Sequence, residues 1–246
     1  MSSKNAKSKK AELITFLQEN KKEMIAAVSM AIVLLVSGII VGCKLWQMIP
    51  LFVSTLVVMT LQMKANRYMF IVGGCNATIG YTLVYLSQGL YAAAAYSFLC
   101  SGPVQFITFY LWNKKAYKHS SRLKRLSKKQ ILWIAIGAIA VWCVMYFIFS
   151  LLGSPYLLLD NTFSLVGILG TVLSMLSYLE YTIISVVGSL SSIFMYINVV
   201  ADQPDQIPHL LYAIYCAITT FISFRYMRKL YKQQQEADTN EEIVSH

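Results

Sequence analysis

Apolar residues in this chain come in long blocks separated by short polar stretches, and eight such blocks can be drawn. They run over 24–43, 46–63, 68–87, 90–112, 130–152, 161–178, 181–200 and 208–227. Each is close to the ~20 residues that a helix needs to cross a bilayer. The pattern predicts an all-α polytopic membrane protein of about eight transmembrane helices. Pro50 falls near the start of the second block, where a helix tolerates proline best.

The stretches between blocks alternate in charge. With the N-terminal tail inside, the loops after spans two and four are also inside. The first holds Lys64 and Arg67, and the second, 113–129, holds eight lysines and arginines. The tail after span eight is inside too, with Arg228, Lys229 and Lys232. The other side carries only Lys44, together with Asp160, Asp202 and Asp205. Basic loops stay on the cytoplasmic side, so this alternation predicts an even number of spans and two cytoplasmic termini in the cell (inner) membrane. A seven-span count would put one basic end outside. The loop 113–129 reads as a topology determinant and has no nucleotide-binding motif.

Two segments end alike. Phe106-Ile-Thr-Phe-Tyr-Leu-Trp-Asn-Lys114 aligns without gaps on Phe221-Ile-Ser-Phe-Arg-Tyr-Met-Arg-Lys229. This makes spans two to four and six to eight equivalent triplets. Span five is then a connector that returns the chain to its starting side, giving a 3+1+3 parallel repeat with one extra first span. The expected organisation is a segment 1–23, a transporter-like domain 24–230 and a cytoplasmic tail 231–246. Within the domain lie the extra span 24–43, a first triplet 46–112, the connector 130–152 and a second triplet 161–227. Residues 11–23 read as an interfacial helix with Leu13, Phe16 and Leu17 on one face, and no cleaved signal peptide is expected.

Composition strengthens the membrane reading. Of 246 residues, 57% are hydrophobic and 13% charged, about half the charge of a soluble domain. The net charge of +10 sits in loops and tails, which points to anionic headgroups and orientation and away from nucleic acid. Cys43, Cys75, Cys100, Cys143 and Cys216 are scattered without metal-ligand spacing and read as small buried hydrophobes, so no metal or cofactor is expected. No Walker loop, zincin helix or nucleophile elbow is present, and His119, His209 and His246 fall outside the span interiors, so no enzyme is expected.

Polar side chains within the spans carry the candidate chemistry, because each needs a cavity or a partner in lipid. The amides of Asn76 and Gln105 both donate and accept, which suits a ribose or base edge, or equally a neighbouring helix. Tyr81, Tyr85, Phe109 and Tyr196 offer stacking faces for a flat ring. Thr182, Ser185, Ser189 and Ser192 recur every three or four residues and so share one helix face, which would look inward or permit close packing. Glu180 and Asp160 fall at span edges, and no acidic residue holds a midplane position. Facilitated diffusion is therefore expected over proton coupling.

Three stretches resemble the Pnu family of vitamin transporters, over roughly 46–230. They are Lys64–Asn76 with Tyr81 and Tyr85, then Pro103-Val-Gln-Phe-Ile-Thr-Phe-Tyr-Leu-Trp112, then Tyr178-Leu-Glu180 leading to Tyr196. The resemblance implies uptake of nicotinamide riboside or a related nucleoside-like vitamin, trapped by later phosphorylation, in a homotrimer. Together with the polar and aromatic residues above, it gives a candidate site of Asn76, Tyr81, Tyr85, Gln105, Phe109, Thr182, Ser185, Ser189 and Tyr196. Thr182 and Ser185 stand where the family has two tryptophans associated with nicotinamide riboside, and Thr108 and Phe109 replace its glycine and aromatic. Thiamine, riboflavin and deoxynucleosides are the alternative substrates, and a membrane subunit that binds without transporting is the alternative class. A reporter enzyme active only after export, fused after His246, is expected to stay silent; activity there would refute the even span count.

Overall fold

The computed structural model describes residues 21–245, with side chains as far as Thr239. Most of the expected interfacial helix, with Leu13, Phe16 and Leu17, lies outside the described residues. Eight helical rods follow among the described residues: α1 (Lys21–Val41), α2 (Leu45–Met63), α3 (Met69–Ser87), α4 (91–114), α5 (Lys128–Leu151), α6 (Leu157–Met175), α7 (Tyr181–Asp202) and α8 (Ile207–Ser245). Seven are long and apolar enough to cross a membrane; α4 is the exception. Its sequence carries Tyr96, Ser97, Ser101 and Gln105 on the face turned to the protein interior, which lowers its hydropathy.

The turns follow from local chemistry. The turns after α3 and α5 use Gly89 (φ 75°) and Gly153 (φ 70°), in the left-handed conformation that closes a helix. α5 opens with a capping box: Gln130 N donates to Ser127 Oγ, and Ser127 N donates to Gln130 Oε1.

α4 is started in another way. Its first N–H groups have no partner in the preceding turn. Asp160, in the first turn of α6, accepts from Ala92 N at 2.8 Å and Ala93 N at 2.9 Å. Asp160 falls at a span edge, as expected, and is fully buried there. Orphan amides at a helix start in a membrane protein need an acceptor, and a carboxylate also complements the helix dipole.

The basic loop is ordered. Residues 116–121 form a small hairpin of β1 (Ala116–Tyr117) and β2 (Ser120–Ser121). Leu179 N donates to Lys124 O and Lys124 N to Ser177 O, docking the loop on the α6–α7 turn. Glu180 accepts from Leu126 N and pairs with Arg125 at 3.5 Å. α8 does not stop near 227; it runs on through the expected tail. There Gln234 donates to Ser121 O and accepts from Leu123 N, and Asp238 pairs with Arg122. The helix is anchored by the loop, so its exposed extension has partners that hydropathy alone does not reveal.

Two apolar clusters hold the bundle. At the end bearing the basic loop, Phe70, Trp112, Leu173, Tyr181 and Met227 pack together, with Trp112 Nε1 donating to Ser174 O. At the opposite, acidic end, Tyr85, Leu90, Met195, Tyr196 and Val199 do the same. α1 leans on α2 and α8 through Leu34, Met48 and Leu51, and Met48 lies directly over Gly38. α5 packs chiefly on α6 and has no buried residue, with Trp133, Ile139 and Phe147 facing outward. Such a continuous apolar exterior is expected of a helix solvated by lipid. Of the five free cysteines, Cys75 on α3 and Cys143 on α5 are exposed, so only some act as buried hydrophobes.

Replacing Asp160 by alanine leaves two amides unpaired and is expected to destabilise the protein by about 2 kcal/mol. Thermal unfolding in detergent reads this as a clear fall in Tm, with Asp160→Asn intermediate; an unchanged Tm for Asp160→Ala would remove the cap from the account.

Candidate functional site

Between the two clusters lies a cavity of about 310 Å³. Residues from α2, α3, α4, α6, α7 and α8 line it, and none from α1 or α5. The candidate residues from sequence fall on spans three, four and seven; α2, α6 and α8 complete the lining. The volume is at the lower end of the ~300–1,000 Å³ typical of small-molecule sites.

The helices of the first half reach the cavity through a shared irregularity. α2 widens into a π turn at Ser54–Val58, α3 at Asn76–Tyr81 and α4 at Tyr96–Ser101. Each π turn places residues on the cavity wall: Ser54 and Val58, Ala77 and Tyr81, and Tyr96, Ser97 and Ser101. α6 and α7 are unbroken α-helix. Single π turns are frequent at functional sites, since they re-aim side chains without ending the helix.

Of the nine residues singled out from sequence, six lie on this wall: Tyr81, Tyr85, Gln105, Ser185, Ser189 and Tyr196. Gln105 donates from Nε2 to Ser101 Oγ at 2.8 Å. Its Oε1 lies against Gly73, where any Cβ would collide with it. Among the described residues no donor bonds that oxygen. Tyr81 stacks on Tyr85 and Tyr212, with ring centroids 5.6 and 6.3 Å away. Ser189 shares a hydrogen bond of 3.0 Å with Thr220 of α8, and Ser185 donates to Tyr181 O.

The other three stand off the wall. Asn76 is buried between α2 and α3, where Nδ2 donates to Pro50 O at 2.9 Å and Ser54 Oγ at 2.8 Å. Ser54 Oγ also accepts from the Tyr81 hydroxyl. Asn76 therefore positions Ser54 and Tyr81 from behind. Gly80 is its necessary neighbour, because a Cβ there would meet Asn76 Oδ1 at 2.7 Å and the Pro50 ring at 2.8 Å. Phe109 faces Tyr68 at 5.6 Å and belongs to the packing at the basic end. Thr182 is buried, and its hydroxyl donates to Leu179 O in the turn that leads into α7. Of the hydroxyl face on α7, Ser185, Ser189 and Ser192 turn inward to the cavity and Thr182 does not.

Several wall residues escape a sequence reading. Tyr96 bonds Thr171 at 2.8 Å and crosses from α4 to α6, its ring so close to Gly167 that a Cβ would lie 2.6 Å from it. Tyr181 and Phe70 line the basic end, backed edge-on by Trp112. Among 16 tyrosines in the chain, only the fold distinguishes Tyr96, Tyr181 and Tyr212 from surface anchors.

The wall has a decisive electrostatic property. Among the described residues it contains no Asp, Glu, Lys, Arg or His. Six tyrosines (81, 85, 96, 181, 196 and 212) supply ring faces, and hydroxyls and two amides, Gln62 and Gln105, supply the polar contacts. Such a chamber stacks a flat ring and hydrogen-bonds its hydroxyls, and aromatic faces also attract a ring that carries positive charge.

Comparison with known proteins identifies a family and a fold. The family described as "Nicotinamide mononucleotide transporter" matches residues 44–228. The crystal structure of the vitamin B3 transporter PnuC is similar in fold, with a TM-score of 0.73 at 19% identity, covering 86% of this chain and 92% of that chain. No curated protein matches in sequence.

Gln105→Ala is expected to weaken binding of a ligand held in the cavity about tenfold, the cost of one lost hydrogen bond to a buried group, with little change in Tm. Asn76→Ala is expected to do the reverse in proportion, lowering Tm before affinity. Thermal-shift titration of both variants checks this, and unchanged affinity for Gln105→Ala would assign Gln105 to packing.

Proposed function

Starting from a chain that belongs to the nicotinamide mononucleotide transporter family, we propose that its substrate is an unphosphorylated, nucleoside-like vitamin, nicotinamide riboside first among them. The uncharged, tyrosine-lined cavity carries this reading. A phosphate brings about two negative charges at neutral pH. Placed in this cavity it would have no cation among the described lining residues, and an unpaired buried charge costs several kcal/mol. A pyridinium ring on a ribose meets the opposite situation: its charge is delocalised over a flat ring that tyrosine faces attract.

The rest of the reading follows the architecture. α2–α4 and α6–α8 form two parallel triplets around the cavity, with α5 as connector and α1 as an addition. That both triplets line the cavity while α1 and α5 do not supports this division. Transport would proceed by rocking of the triplets about the central site. The cavity wall holds no carboxylate, and Asp160 is engaged by Ala92 N and Ala93 N, so the carrier is a uniporter and not a proton-coupled pump. It performs no catalysis. Both termini face the cytoplasm of a cell whose inner membrane it spans, and the assembly implied by the resemblance is a homotrimer.

Uptake into proteoliposomes of labelled riboside against labelled mononucleotide tests the proposal, with thiamine, riboflavin and deoxynucleosides in parallel. The riboside is expected to enter at least about a hundredfold more efficiently than the mononucleotide, from the unpaired phosphate alone. An imposed proton gradient is expected to leave the rate unchanged. Equal uptake of the mononucleotide would overturn the substrate reading, and a strict need for the gradient would overturn the uniport.

A further inference from the structure

Three buried glutamines meet at the acidic end of the bundle, above the cavity. Gln88, which follows α3, donates from Nε2 to Gln206 Oε1 at 2.7 Å. Gln206, which precedes α8, donates from Nε2 to Gln47 Oε1 at 3.4 Å and to Asp205 Oδ2 at 2.8 Å. Gln47, in the first turn of α2, donates to Ser87 Oγ at 2.9 Å. All three are at most 3% exposed. Amides buried to this degree cost stability unless bonded, and an apolar seam would close the same gap without that cost. Amide pairs, however, exchange readily with water when a seam opens, whereas packed apolar side chains do not present such partners.

The network crosses a boundary. Gln47 and Gln88 belong to the first triplet, and Gln206 to the second. One residue joins it to the cavity. Tyr196 lines the cavity and donates its hydroxyl to Gln88 Oε1 at 3.3 Å, a long bond. Its ring lies on His209, stacked at 5.6 Å and 25°, which fixes where the hydroxyl sits. A phenol has one proton to give. A ligand acceptor that takes it leaves Gln88 Oε1 without that donor in buried surroundings, which weakens the seam.

We propose that Gln47, Gln88 and Gln206 form the closure of the cavity at the acidic end, and that Tyr196 releases it when its hydroxyl turns to an occupant. The role of the occupant rests on the transport reading above; the closure itself does not. Tyr196 is in this sense a positioning residue that links the site to a seam between triplets.

Cys216 lines the cavity and provides the probe. In the full chain with Cys43, Cys75, Cys100 and Cys143 replaced by serine, a membrane-impermeant methanethiosulfonate is applied to each face of oriented vesicles in turn. Gln88→Ala and Gln206→Ala are each expected to raise the labelling rate of Cys216 about tenfold from the face bearing Asp202, and not from the face bearing the basic loop. Tyr196→Phe keeps the ring on His209 and removes the hydroxyl. It is expected to raise labelling from the same face and to abolish any effect of nicotinamide riboside on the rate. Unchanged labelling in the glutamine variants, or an equal rise from both faces, overturns the closure. Should the glutamine variants not fold, Tyr196→Phe decides alone, since unchanged labelling there overturns the link. Labelling that behaves as expected in a chain that takes up no nucleoside would sink the substrate reading and leave the closure standing.

Discussion

A chain that crosses a bilayer must find a partner inside the protein for every main-chain N–H and C=O that leaves the regular helical ladder. The cavity of this protein lies where that constraint is strained most. Three π turns interrupt α2, α3 and α4, and α4 starts next to a turn with its first amides in need of a partner from outside the helix. Asn76 and Asp160 belong to this accounting: one bonds Pro50 O across to α2, the other holds Ala92 N and Ala93 N. With the main chain satisfied from behind, the side chains in front are free to form a wall of rings and hydroxyls.

That ordering explains which parts of the protein are legible in its sequence. Seven rods follow from apolar length, on which lipid acts in the same way, and α4 follows from its length between them despite its polar inner face. The family follows from short stretches around Asn76, Gln105 and Glu180. The π turns do not follow, since Ser54–Val58 reads as ordinary apolar helix and only the packing of α2 on α3 shows the irregularity. Polar residues within a span signal an inward direction without telling first layer from second. Gln105 and Asn76 are alike in sequence, yet one borders the cavity and the other lies behind it. Thr182 and Ser185 share a helix face by spacing, but the turn that leads into α7 claims the Thr182 hydroxyl. Asp160 and His209 read as edge residues because hydropathy measures distance along the chain, while both are fully buried among the ends of other helices.

The two ends of the cavity are built from different material. At the basic end Phe70, Trp112 and Tyr181 make a packed apolar floor, braced by a loop that α8 and the α6–α7 turn hold in place. At the acidic end glutamines meet one another across the triplets. An apolar floor loses its contacts all at once when it separates, while amides exchange one partner for water at a time. The asymmetry means that the two ends respond differently to the same displacement of one triplet against the other.

α5 has a different relation to its surroundings from every other helix. With no residue buried in the bundle, it is specified by length and apolarity, not by shape. Its 24 residues extend about 36 Å against a hydrocarbon core of about 30 Å. The bilayer therefore shares the setting of its depth and tilt with α6, where Asn161 Nδ2 donates to Trp142 O and Trp142 Nε1 donates to Thr162 Oγ1. A thinner or thicker membrane would change the angle of this one helix first, and would pull chiefly on the second triplet through its contact with α6.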